Sequence, residues 1–63
     1  MTRIVGRYHD VEYTVVEYPN GRVECSSAIV NLLKNPDGSM PNRDDLVEAC
    51  RDIFGDTLFV EEV

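Results

Sequence analysis

The chain has 63 residues and 7.1 kDa, enough for one domain spanning 1–63 and too few for a second. Its 6 Lys and Arg stand against 12 Asp and Glu, a formal net charge of −6, and 43% of its residues are hydrophobic, which fits a folded domain and not a disordered tail. Its apolar runs fall far short of the roughly 20 residues that span a bilayer, and the basic residues at 3, 7, 22, 34, 43 and 51 form no cluster for phosphate, so neither a membrane nor a direct nucleic-acid ligand is expected.

Thr2 to Tyr8 reads as a strand, with Ile4 and Tyr8 on one side and Arg3, Val5 and Arg7 on the other. Gly6 interrupts it and marks a bulge or a close backbone approach. His9-Asp10 is a tight turn. Val11 to Tyr18 is the strongest strand signal, dense in β-branched and aromatic residues. Val11, Tyr13 and Val15 share one face, and Glu12, Thr14, Val16 and Tyr18 the other. Neither face is cleanly polar, which predicts a central strand covered in part on both sides. Pro19-Asn20-Gly21 then predicts a type I turn closed by a left-handed Gly, so that Arg22 to Cys25 pairs back.

Ser26 or Ser27 caps a first helix, whose apolar stripe is Ala28, Ile29, Leu32 and Leu33 and which ends at Asn35-Pro36. Residues 35–42 are a loop by composition. Asn42 caps a second helix, with Asp45 placed to complete a capping box. Leu46, Val47, Cys50, Ile53 and Phe54 form its apolar face, and Gly55 supplies a left-handed stop. Thr57 to Val63 is a last strand that pairs with the first or second. The order β-β-β-α-α-β predicts an α+β fold: a small antiparallel sheet with two short helices packed on one face. The expected core is Ile4, Val15, Ile29, Leu32, Leu33, Leu46, Val47, Cys50, Ile53, Phe54, Leu58 and Val60.

A domain this short buries only about 60% of its unfolded surface. Such cores rarely supply more than about 3–5 kcal/mol, so a disulfide, a metal or a partner often helps. The two cysteines, Cys25 and Cys50, have no zinc-ligand spacing, and no secretory leader precedes the first strand, so free thiols and a cytoplasmic location are expected. Self-association through unprotected sheet edges is expected as well, with Arg3 and Arg7 blunting the edge of the first strand.

Catalytic chemistry finds little support. His9 sits beside Asp10, but adjacent residues on a strand or turn point apart, and no nucleophile accompanies them. Cys25 lies just before a helix N-terminus, where a thiolate gains some stabilisation, so a thiol-based redox protein is one alternative. Residues 35–48 lack the Gly and the ligand spacing of a calcium loop. No phosphate-binding, dinucleotide or zinc-protease motif occurs, and no cofactor is expected. Glu12 and Glu17, not basic residues, interleave Tyr13 and Tyr18, which disfavours single-stranded nucleic acid. One of Tyr8, Tyr13 and Tyr18 is expected to be exposed for a partner.

The strongest constellation is acidic. Asp44, Glu48 and Asp52 fall at i, i+4 and i+8 on the second helix, opposite its apolar stripe, with only Arg51 near enough to compensate. Asp56, Glu61 and Glu62 extend the negative character. The plain reading is a solvated face that keeps a small protein dispersed. The sharper reading is a surface for a basic, nucleic-acid-binding protein, with carboxylates every ~6 Å along the helix standing in for phosphates. In size and acidity the chain resembles small phage-borne or accessory regulators, a likeness of composition without a diagnostic motif. These residues predict a non-enzymatic interaction module, an inhibitor or regulator of such a partner. A homo-oligomeric accessory domain and a Cys25 redox protein are the alternatives.

Overall fold

Four strands form one antiparallel sheet in the order β3-β2-β1-β4, in a computed structural model that describes residues 1–63. β1 (Thr2–Tyr8) and β2 (Val11–Glu17) pair without a break from Thr2 opposite Glu17 to Tyr8 opposite Val11. Gly6 therefore marks no bulge. It marks a close approach: a Cβ there would lie 2.2 Å from Cγ of Phe54. The two-residue turn between the strands places His9 at φ 51° and Asp10 at φ 64°, left-handed values at both positions, as a type I′ hairpin requires.

The second hairpin is the one that the Pro-Asn-Gly signal predicts. Gly21 N–H donates to Tyr18 C=O at 2.9 Å, Tyr18 N–H donates to Arg22 C=O at 2.8 Å, and Gly21 has φ 88°. Its return strand β3 is only Val23–Glu24, shorter than the Arg22–Cys25 expected, and lies opposite Val16 and Glu17. β4 (Phe59–Glu62) pairs with β1, Val60 opposite Ile4. It starts later than expected because residues 55–57 form a 3-10 turn. There the Thr57 hydroxyl accepts from Arg7 N–H (2.9 Å) and donates to Phe54 C=O (2.7 Å), continuing the β1 ladder with a side chain.

α1 (Ser27–Leu33) is capped by the Ser26 hydroxyl, which accepts from Ala28 N–H. α2 (Arg43–Phe54) is capped by Asn42, whose Oδ1 accepts from Asp45 N–H at 3.0 Å. The reciprocal bond from the Asp45 carboxylate is absent, so the capping box is half formed. Gly55 ends α2 with positive φ but ψ −132°, outside the left-handed helical region. Both helices lie on one face of the sheet, α2 against β1 and α1 beside α2. The core is Ile4, Val15, Ile29, Leu33, Leu46, Cys50 and Phe54, with Val47, Ile53, Leu58 and Val60 packed against it.

Three expectations change. Leu32 is 49% exposed, because α1 turns its Ile29–Leu33 line inward and holds Leu32 beyond it. β2 is covered on one face only: Thr14 and Glu12 are exposed on the side without helices, and Val16 is half-buried there by its neighbours within the sheet. β1 is also no edge strand. The edges are the two-residue β3 and the acid-tipped β4.

Candidate interaction surface

On α2, Asp44, Glu48 and Asp52 are all exposed, because Leu46, Cys50 and Phe54 occupy the sheet-facing line of the same helix. Asp44 has a 90% exposed side chain and meets only its neighbour Arg43, at 3.4 Å. Arg51 forms no ion pair, so the compensation expected of it within the row does not take place. Asp45 in the first turn and Asp56 in the 3-10 turn are exposed too, at the two ends of the row.

The structure does not bring Glu61 and Glu62 into this row. Glu62 sits on the helix side of β4, opposite Thr2. It accepts from the Thr2 hydroxyl (3.0 and 3.1 Å) and from the Arg43 guanidinium, whose Nε lies at 3.1 Å. Bonding to Arg43 and then to Thr2 holds the Glu62 carboxyl below its ordinary range, and Glu62 in turn raises Arg43. Glu61 points to the other face of the sheet and pairs with Arg3. Both carboxylates are neutralised within the chain.

That other face is the region which sequence reasoning missed. No helix covers it. Across the strands it carries Arg3, Val5 and Arg7 of β1, Glu12, Thr14 and Val16 of β2, Glu24 of β3, and Phe59 and Glu61 of β4. Tyr18 extends it: its hydroxyl donates to Glu24, and Arg22 lies 5.5 Å over its ring while bonding Glu24 at 2.6 Å. The Glu24 bond raises the Tyr18 pKa. The signal was present in the alternation of β1 and β2, which places apolar residues on both faces, while two short helices can cover only one. No tyrosine is freely exposed, contrary to expectation: Tyr8 and Tyr13 pack against the core and Tyr18 is held by this triad.

The thiols are free, Cys50 buried and Cys25 half-buried. Burial pushes the Cys25 thiol up, and burial, with Cys25 nearby, pushes Cys50 to about 11. Burial disfavours the thiolate at both, opposite in direction to the stabilisation expected of Cys25 before a helix N-terminus. His9 is exposed in its turn and packs edge-on to Tyr8. In the 35–42 loop, the Ser39 hydroxyl and backbone N–H both donate to Asp37, lowering its pKa and occupying its carboxylate. No three His, Cys, Asp or Glu side chains converge as a metal set, and no helix is long and apolar enough to cross a membrane.

No family model, curated protein or solved structure matches the chain.

Proposed function

We propose that this is a non-enzymatic interaction module whose acidic helix side binds a basic surface on another protein. One observation carries the reading: the charge is divided between the two sides of the sheet. On the side without helices, Arg3, Arg7 and Arg22 balance Glu12, Glu24 and Glu61. The rest of the molecule, counting Glu17 and Glu62 on the helix side of the sheet, holds Lys34, Arg43 and Arg51 against nine carboxylates, so the whole net charge of −6 lies outside the open face. Within it, Asp44, Glu48 and Asp52 repeat every ~6 Å on a rigid helix, fully solvated and unpaired but for Arg43. Such a row attracts cationic side chains and competes with a phosphate backbone for them. An inhibitor of a nucleic-acid-binding protein is the form of this function that the spacing favours.

The test is a parallel capture from a cell lysate on the immobilised chain and its Asp44→Lys/Glu48→Lys/Asp52→Lys variant. All three residues point away from the core, so the variant is expected to keep its melting temperature, with changes of only a few tenths of a kcal/mol per i,i+4 pair. A basic protein should bind the wild type, be displaced by nucleic acid, leave as salt screens the charges beyond about 8 Å, and fail to bind the variant. Equal retention by both forms would remove the helix row from the mechanism.

A further inference from the structure

We propose that two copies of this chain pack open sheet face against open sheet face about a twofold axis, leaving the acidic helix layers outermost. The molecule measures 29 × 27 × 18 Å, and its thinnest dimension fits one sheet and one helix layer, so the open sheet is one of its two broad faces. Large apolar side chains gather there. Phe59 is 60% exposed at its centre row, beside Val5, and Met1 (44%) and Val63 (66%) extend the same face where Met1 and Val63 exchange backbone hydrogen bonds. Val16 and Thr14 continue the apolar strip across β2.

Charge names the occupant. Two molecules of net charge −6 repel through their helix sides. Only the open face, with three arginines and three glutamates, lets like molecules approach without that repulsion. A basic partner has no reason to prefer this neutral surface over the acidic one. A second copy also finds complementary charges on it. With the axis running along the strands between β1 and β2, each β1 residue lies over the β2 partner of its row in the second copy. Arg7 then faces Glu12 of the second copy, Glu12 faces its Arg7, and Val5 faces its Thr14, since these are the registered pairs. Arg7 and Glu12 form no ion pair with any side chain within one molecule. Glu61 meets Glu24 of the second copy, each already neutralised by Arg3 and Arg22.

The sheet edges suit this role less well. β3 offers two residues and β4 only four, and the charged Glu61 and Glu62 that end β4 blunt its edge. The strands hold 7, 7, 2 and 4 residues, which at ~4.8 Å between strands and ~3.3 Å per residue give a footprint of roughly 320 Å², well below the ~800 Å² per partner of a standard stable interface. The dimer is therefore a weak one that forms as concentration rises.

Sedimentation of the full chain from ~10 µM to ~1 mM should show the weight-average mass climbing from 7.1 kDa toward twice that value. Arg7→Glu makes the open face net negative and Glu12→Arg makes it net positive. Each alone should raise the dissociation constant at least about tenfold, with circular dichroism unchanged. An equimolar mixture should restore association, because the two faces are then opposite in sign although both chains remain acidic overall. Phe59→Asp should also weaken the dimer, and Asp44→Lys on the helix side should not. A wild type that stays at 7.1 kDa throughout overturns the proposal. So does a dimer indifferent to Arg7→Glu and Phe59→Asp, or a mixture that associates no better than its components.

Discussion

Ile4 and Val5 are neighbours in β1, yet one step along the strand carries the chain from the covered to the open face of the sheet. Ile4 is wholly buried against Val15 and the helix layer, while Val5 is half-buried between Thr14 and Phe59 with no layer above it. The same division runs through the molecule. The covered face holds the core and has the acidic α2 and the uncharged α1 on its outside; the open face is electrically neutral and leaves Phe59 in solvent. Burial is concentrated on one face, and the other contributes little to it.

Truncating these neighbours tests that division most directly. Ile4→Ala should cost about 2–5 kcal/mol through lost burial and the cavity left behind. Against a total of about 3–5 kcal/mol for so small a domain, that leaves much of the chain unfolded at 25 °C. Val5→Ala should cost under about 1 kcal/mol, within the range of strand preference alone. Chemical denaturation of the two variants measures both. Equal losses would mean that the open face is covered in solution.

Gly6 gives the next largest effect, because the covered face has no room for even one methyl group. In Gly6→Ala the new carbon would lie 2.2 Å from Cγ and 2.5 Å from Cβ of Phe54, so the ring and the end of α2 must shift. Overpacking of this kind costs about 1–3 kcal/mol. A melting temperature at or above wild type would show that the α2–β1 contact is looser than described.

The hairpin that assigns β1 and β2 residues to their faces can be strengthened. His9 and Asp10 both hold left-handed backbone without being glycine. That conformation costs an L-residue roughly 1–2 kcal/mol, and a glycine returns about 0.5–1 kcal/mol of this through a freer unfolded chain. Asp10→Gly should therefore raise stability by about 0.5–1 kcal/mol in thermal melts.

The smallest effect lies at the rim of the covered face, at Glu62. Its folded pKa is depressed by Arg43 and Thr2, so its contribution is fully present above the unfolded value of 4.5 and disappears as pH falls through the folded one. Glu62→Gln should flatten the acid side of the stability–pH curve below that value and leave the shape of the curve near neutrality unchanged. A variant whose acid limb matches wild type would place the Arg43–Glu62 pair among those without measurable worth.

Much of the fold was legible because its signals are local. Pro19-Asn20-Gly21, the Ser26 and Asn42 caps, and the 3.6-residue line of Leu46, Cys50 and Phe54 each act within a few residues. The helical row of Asp44, Glu48 and Asp52 was legible for the same reason, since helix periodicity alone turns it away from the core. The places of Glu61 and Glu62 were not, because adjacent strand residues point to opposite faces and their partners are remote in sequence. Glu61 pairs with Arg3, and Glu62 with Arg43 and Thr2.

By itself, then, the sequence determined the −6 charge and, through interactions between residues close along the chain, the order of strands and α-helices, both hairpin turns, the Asn42 cap and a serine cap at Ser26 or Ser27. Tertiary structure decided the rest. It chose β1 as the partner of β4, turned Leu32 out of the core, brought Phe54 onto Gly6, and left one sheet face without a cover. Two short helices can shield only one side of a four-stranded sheet. Which side that is depends on the packing of Ile4, Val15 and Phe54 across long stretches of chain, where no local pattern reaches.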